Sequence, residues 1–156
     1  MMKATIISAF PGTGKTYLFD NDPLLNILDS DSSSYSWIIQ NGEKKRNPDF
    51  PANYIQHIKE EMDKVDLILV SSHLDVREAL VKEGIKFILA YPKIELKDEY
   101  VKRFIDRGSP ESFCDLVVEN WEKWITELQN QTSCTHRVLN SEEYLTDIFM
   151  PSETTP

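Results

Sequence analysis

The chain is short of cysteine, of long apolar runs and of positive charge, and each shortage closes off a class of protein. Its two cysteines, Cys114 and Cys134, fall on separate predicted elements without metal-ligand spacing. Neither a disulfide framework nor a zinc site is expected, and in a reducing compartment both read as buried or half-buried thiols. No apolar stretch approaches the roughly 20 residues that a membrane-spanning helix needs. Met1-Met2-Lys3 runs straight into a predicted strand, leaving no room for a signal peptide, so a cytoplasmic protein is expected. Lysine and arginine number 17 against 26 acidic residues, a formal net charge of −9. That balance argues against a nucleic-acid partner, because such surfaces spread basic side chains over a face to displace counterions. A small anionic ligand needs only a local positive pocket. Internal repeats are lacking, and biased sequence is confined to Asp29-Ser30-Asp31-Ser32-Ser33-Ser34 and the last residues.

What is present is the composition of an ordinary globular domain: 156 residues, 40% hydrophobic and 28% charged. One domain is expected over residues 1–150, with 151–156 a disordered tail. The most informative stretch is Ala9-Phe10-Pro11-Gly12-Thr13-Gly14-Lys15-Thr16. It follows an apolar β-type run, Ala4-Thr5-Ile6-Ile7-Ser8, and precedes Tyr17-Leu18-Phe19, which can open a helix. A strand, a glycine loop and a helix in that order are the context of a P-loop. Gly12 and Gly14 let backbone N–H groups turn around phosphate oxygens, helped by the positive end of the next helix. Lys15 can then reach the β- and γ-phosphates, and the Thr16 hydroxyl can ligate Mg2+. Pro11, Gly12, Thr13, Gly14, Lys15, Thr16 and Tyr17 are therefore the candidate ATP-binding residues, with Ala9 a mild departure from the usual glycine.

Further along, the pattern predicts a strand over 24–28, a loop excursion over 35–51 that includes a charged turn at 41–46, and a helix over 53–64. A nearly continuous apolar run at 65–70 predicts a central strand covered on both faces, followed by a helix over 74–82 and a strand over 85–90. Helices are predicted over 95–106 and 111–129, a last strand over 135–139, and a final helix through residue 149 capped by Ser141-Glu142-Glu143. Strands alternating with helices imply an α/β fold, a five-stranded parallel sheet with helices on both faces.

From Lys3 to about Phe149 the chain resembles the small P-loop kinases of the adenylate kinase type, including nucleoside, nucleotide, shikimate and gluconate kinases, with the P-loop as its specific motif. The resemblance implies a three-layer P-loop NTPase fold, strand order 2-3-1-4-5 and a mobile helical lid at about 93–112. In relatives resembling shikimate kinase an acidic pair follows the second strand; by that likeness Asp29 would help order Mg2+ and Asp31 would contact the acceptor. The pair suits a hydroxyl acceptor, whose proton a carboxylate can accept. An Asx-type turn capped by Ser32 and Ser33 is the alternative.

Arg103 and Arg107, four apart on a predicted helix, match the paired arginines of a kinase lid and would neutralise charge during transfer. A solvated helix with Glu99 and Asp106 as partners is the alternative, and for Arg107 beside Gly108 a cation at the helix end. His73 and Arg77 follow the third strand, where Arg77 could hold an anionic acceptor. Tyr35 and Trp37 could stack on a base or sugar, with Lys44, Lys45 and Arg46 guiding an anion. Asp31, Ser32, Tyr35, Trp37, His73 and Arg77 thus form the candidate acceptor site. By the same resemblance His136, Arg137 and Asn140 lie where related kinases bring backbone around adenine. The central strand ends in Ser71-Ser72 where a Walker B acid is usual, which throws weight onto Asp29 as the metal residue.

The expected activity is transfer of phosphate from ATP, with Mg2+, to a small metabolite, a nucleoside or nucleotide, by a monomer or homodimer. Phosphorylation of a polynucleotide 5′-hydroxyl and nucleotide binding with little turnover are the alternatives. No Asn-Lys-x-Asp sequence of the small-GTPase kind is present.

Overall fold

The structure, a computed structural model, describes residues 4–14, 26–30 and 37–149. Its strands are β1 (Thr5–Ala9), β2 (Ile27–Asp29), β3 (Trp37–Gln40), β4 (Glu43–Arg46), β5 (Leu67–Ser71), β6 (Ile88–Pro92) and β7 (Thr135–Leu139). Its helices are α1 (Ala52–Glu61), α2 (Leu74–Lys82), α3 (Lys97–Asp106), α4 (Glu111–Gln129) and α5 (Leu145–Phe149), with a 3-10 turn at Ile94–Leu96. Five strands form one sheet in the order β2-β5-β1-β6-β7, and every pairing in it is parallel.

The alternation of strand side chains makes two apolar layers. Ile6, Ile68, Val70 and Leu89 face one cluster, completed by Tyr54 and Ile58 of α1, Val76 and Leu80 of α2, Tyr100 and Phe104 of α3, and Trp121 and Ile125 of α4. Ile7, Ala9, Leu67, Leu69 and Ala90 face the other, which Leu145 of α5 joins. A sheet buried on both faces needs near-continuous apolar strands, and β1 and β5 are such strands. Among the described residues no helix is long and apolar enough to cross a membrane.

Three predicted boundaries are exact: α2, α4 and β7. Others move, for identifiable reasons. The strand predicted at 85–90 is Ile88–Pro92, because Ile85 belongs to the end of α2. Gly84, at φ 69°, lets its own N–H donate to Val81 O and the Ile85 N–H to Leu80 O, at 3.0 and 2.9 Å. This is a Schellman cap with Ile85 and Leu80 as its apolar pair.

Gly108 ends α3 in the same way, through Ser109 N–H to Phe104 O. The charged turn predicted at 41–46 is instead a hairpin: only Asn41 and Gly42 turn, both at positive φ, and β4 pairs antiparallel with β3. Asn-Gly between strands is a strong hairpin signal, hidden here by a strand made of Glu43, Lys44, Lys45 and Arg46. β2 includes Asp29 rather than ending before it; Leu24 and Leu25 lie outside the described residues, as do the helix expected after the glycine loop and the tail at 151–156. α5 is capped by the Asp147 carboxylate accepting from the Tyr144 N–H, while Ser141 donates to Glu99.

Trp121 is the largest side chain in the core. It is 1% exposed, meets Phe10 edge-on at 5.6 Å, and its indole N–H donates to Ile94 O at 2.7 Å. Trp121→Phe vacates volume and strands that carbonyl, so we expect a loss of about 3 kcal/mol in urea unfolding. A loss below about 1 kcal/mol would mean that Trp121 does not hold this layer together.

Candidate functional site

β1 lies at the middle of the sheet and is hydrogen-bonded on both sides, so the chain that leaves Ala9 emerges at a fixed point between β5 and β6. Ala9 is fully buried, opposite Ser71 and Ala90. Its methyl group lies in the cluster with Ala90 and Leu145, which explains why alanine is accommodated at the first loop position. The Phe10 N–H donates to Ala90 O. Proline at position 11 with Gly12 at φ 84° is the pattern of a type II turn. The buried Thr13 hydroxyl donates to Phe10 O at 2.7 Å and closes it. Gly14 follows at φ 95°.

Two crowded contacts make these glycines obligatory for a second reason. A β-carbon on Gly12 would stand 3.0 Å from Phe104 and 3.3 Å from Tyr100, and one on Gly14 3.1 Å from Tyr144. The loop is therefore packed from outside by α3 and by the segment that enters α5. Lys15, Thr16 and Tyr17 lie outside the described residues, as do Asp31, Ser32 and Tyr35.

Arg103 is the residue that the structure brings to the loop. Its Nη1 donates to Gly12 O at 2.7 Å, and its Nη2 donates to Glu99 at 2.9 Å and, at 3.4 Å, to Glu143 O. Its guanidinium lies 4.2 Å from the Tyr100 ring and 4.0 Å from the Tyr144 ring. Glu99 also accepts from the Ser141 hydroxyl and the Glu142 N–H. The Tyr100 hydroxyl is buried with no hydrogen-bond partner among the described residues. Burial pushes its pKa up to about 12, against the opposing charge of Arg103.

Arg107 does not share this target, a correction to the paired-arginine expectation. It stands past the end of α3, exposed, with Nε to the Ser109 hydroxyl and its guanidinium over Phe104. The segment 93–112, expected to form a lid, is packed: Tyr100 and Phe104 are fully buried.

Arg77 is corrected too. It is 3% exposed and donates from Nε to Ser72 O and from Nη1 to Gln131, with Glu127 at 3.8 Å. Desolvation lowers its pKa, opposed by Glu127. Arg77 thus ties the end of β5 to the end of α4 rather than facing a ligand. His73 is exposed at the position before α2, where its carbonyl accepts from the Arg77 N–H.

Trp37 lies on the hairpin with Lys44 and Arg46 over its ring at 4.8 and 5.0 Å, and Arg46 pairs with Asp75 of α2. Lys45 falls on the other face of the hairpin. His136 is half-buried: its Nε2 donates to Gln131 O, so its Nδ1 accepts from the Tyr91 hydroxyl. Arg137 and Asn140 are exposed.

Asp29 ends β2 opposite Leu69, two positions short of the level of Ala9 and Ser71. Ser30 continues that edge: its N–H donates to Leu69 O and its carbonyl accepts from the Tyr54 hydroxyl. The carboxyl end of β5 presents Ser71 and Ser72, and Ser8 donates to Ser71 O. Among the described residues no three acidic, histidine or cysteine side chains converge on a metal site.

The residues 99, 100, 143 and 144 around the loop were not singled out from sequence. Glu99 is visible there only as an i, i+4 partner of Arg103, and no spacing connects it to residues 141–144. Neither the protein-family models nor the curated protein sequences contain a match to this chain.

Burial alone would raise the Glu99 pKa, but hydrogen bonds from Ser141 and Glu142 and the charge of Arg103 outweigh it and hold the carboxyl below its ordinary value of 4.5. A group depressed on folding stabilises fully above its unfolded pKa and loses that contribution as pH falls through the folded value. Glu99→Gln should therefore unfold at a lower temperature than the parent at neutral pH, with the gap closing as the pH falls below 4.5. A gap that does not change with pH would show that these partners do not hold the Glu99 carboxylate.

Proposed function

We propose that the chain is an ATP- and Mg2+-dependent phosphotransferase acting on a small metabolite, a nucleoside or nucleotide. The observation that carries this reading is the turn at the carboxyl end of the central strand. There Gly12 and Gly14 both adopt positive φ, and Lys15 and Thr16 come next in sequence. Ligands of open parallel α/β sheets bind beyond the carboxyl ends of the strands. With the hairpin strands set aside, the order β2-β5-β1-β6-β7 reads 2-3-1-4-5, which supports the kinase likeness.

In this reading the loop amides and Lys15 hold the donor phosphates, and the Thr16 hydroxyl and Asp29 hold Mg2+, whose charge would offset that of the phosphates. Asp31 and its neighbours after β2 meet the acceptor. The contribution of the protein is positioning and electrostatics. A second reading, nucleotide binding with little turnover, is favoured by Ser71-Ser72 in place of an acid and by the engagement of Arg103 on the loop itself.

Titration calorimetry with ATP and Mg2+ tests the first step: the wild type is expected to bind, and Lys15→Ala to bind at least about tenfold more weakly, the effect of losing one charge-assisted hydrogen bond. Nucleosides, monophosphates, small hydroxyl metabolites and oligonucleotide ends are then screened for acceptor-dependent ADP release. Binding without release by any acceptor selects the second reading, and no uptake of triphosphate removes both.

A further inference from the structure

We propose that Arg103 and the first turn of α5 are the positioning device of the glycine loop, holding two successive carbonyls outward so that the amides of the same peptides face the other way, toward bound phosphate. The inference rests on the nucleotide-binding reading above, but concerns how the loop is shaped rather than what is transferred.

A trans peptide is planar, with its C=O and N–H pointing in opposite directions. Arg103 Nη1 takes Gly12 O at 2.7 Å, and the Leu145 N–H takes Thr13 O at 2.9 Å. The orientation of two consecutive peptide planes is thereby set from outside the loop, and the Thr13 and Gly14 N–H groups point away from Arg103 and α5. Neither carbonyl is held by local secondary structure; the donors come from residues 103 and 145, far along the chain.

The clamp is itself held. The Arg103 side chain is 12% exposed, its guanidinium lies within 4.2 Å of two tyrosine rings, and three of its five N–H directions are used on Gly12, Glu99 and Glu143. Glu99 in turn is fixed by Ser141 and Glu142, which belong to the chain entering α5. An arginine committed in this way serves as a positioning residue; contact with a transferring phosphoryl group needs its donors free. A lysine can reach one carbonyl but cannot present the planar guanidinium that bonds Gly12 O and Glu99 at once.

The test uses the full-length chain labelled with 15N, with melting temperatures as the folding control. In the nucleotide-free protein, Arg103→Gln should move the amide resonances of Thr13 and Gly14. It should also weaken binding of ADP and ATP, each with Mg2+, by the same factor, about tenfold, with Arg103→Lys intermediate. A loss confined to ATP would show that Arg103 touches the terminal phosphate and would overturn the proposal. So would unmoved Thr13 and Gly14 resonances in folded Arg103→Gln. If that variant does not fold, Ser141→Ala, which removes one bond from Glu99, should shift the same two resonances by less, and no shift overturns the proposal. If the wild type binds neither nucleotide, the functional reading fails on its own while the amide comparison still decides whether the clamp shapes the loop.

Discussion

Burial of the central strand from Ile6 to Ala9 is the constraint from which the site follows. Ile6, Ile7, Ser8 and Ala9 of β1 are each no more than 1% exposed, and the strand is paired along its length with β5 and at its end with β6. A strand so enclosed cannot shift its register by one residue without exchanging its two apolar faces. The turn that follows therefore starts from a fixed atom in a fixed direction. Everything that shapes it afterwards, from Thr13 closing onto Phe10 to the rings of Tyr100, Phe104 and Tyr144 against the glycines, acts on a loop already anchored at its root.

On this frame the buried cations do the connecting. Arg77 and Arg103 are the guanidinium groups most withdrawn from water among the described ion pairs, and each is met largely by carbonyl oxygens: Ser72 O for one, Gly12 O and Glu143 O for the other. A desolvated guanidinium needs its donors satisfied, and backbone carbonyls at strand and loop ends are acceptors that regular structure leaves over. Each arginine thus joins elements that no strand pairing links. The exposed pairs Lys102–Asp106 and Lys64–Glu61 are of the kind that contributes little to stability. A net charge of −9 says nothing of this, since what matters is where a few cations are enclosed.

Patterns with short reach were legible in the sequence. Periodicity and stop signals located α2, α4 and β7, and the alternation of strands with helices implied the parallel sheet. Where two local rules competed, the reading slipped: Ile85 looks like the start of an apolar strand but closes the helix before it, and the charges of β4 concealed a hairpin that Asn41-Gly42 marks. Where an arginine's partner lies tens of residues away, sequence offers only its charge. Arg77 is read toward an acceptor from its place after a strand and Arg103 toward a phosphate from its spacing to Arg107, while their contacts with Gln131 and Gly12 are set by tertiary packing.

The Leu145 N–H fastens Thr13 O while its side chain is buried in the cluster with Ile7 and Ala9. These groups are separated by most of the chain, and a contact of such sequence distance forms only after the long intervening loop has been closed. A ribosome delivers residue 13 well before residue 145. A nascent chain can thus assemble its β1–β5 pairing while the loop beside it remains unclasped, and the loop is completed only once residue 145 has been added.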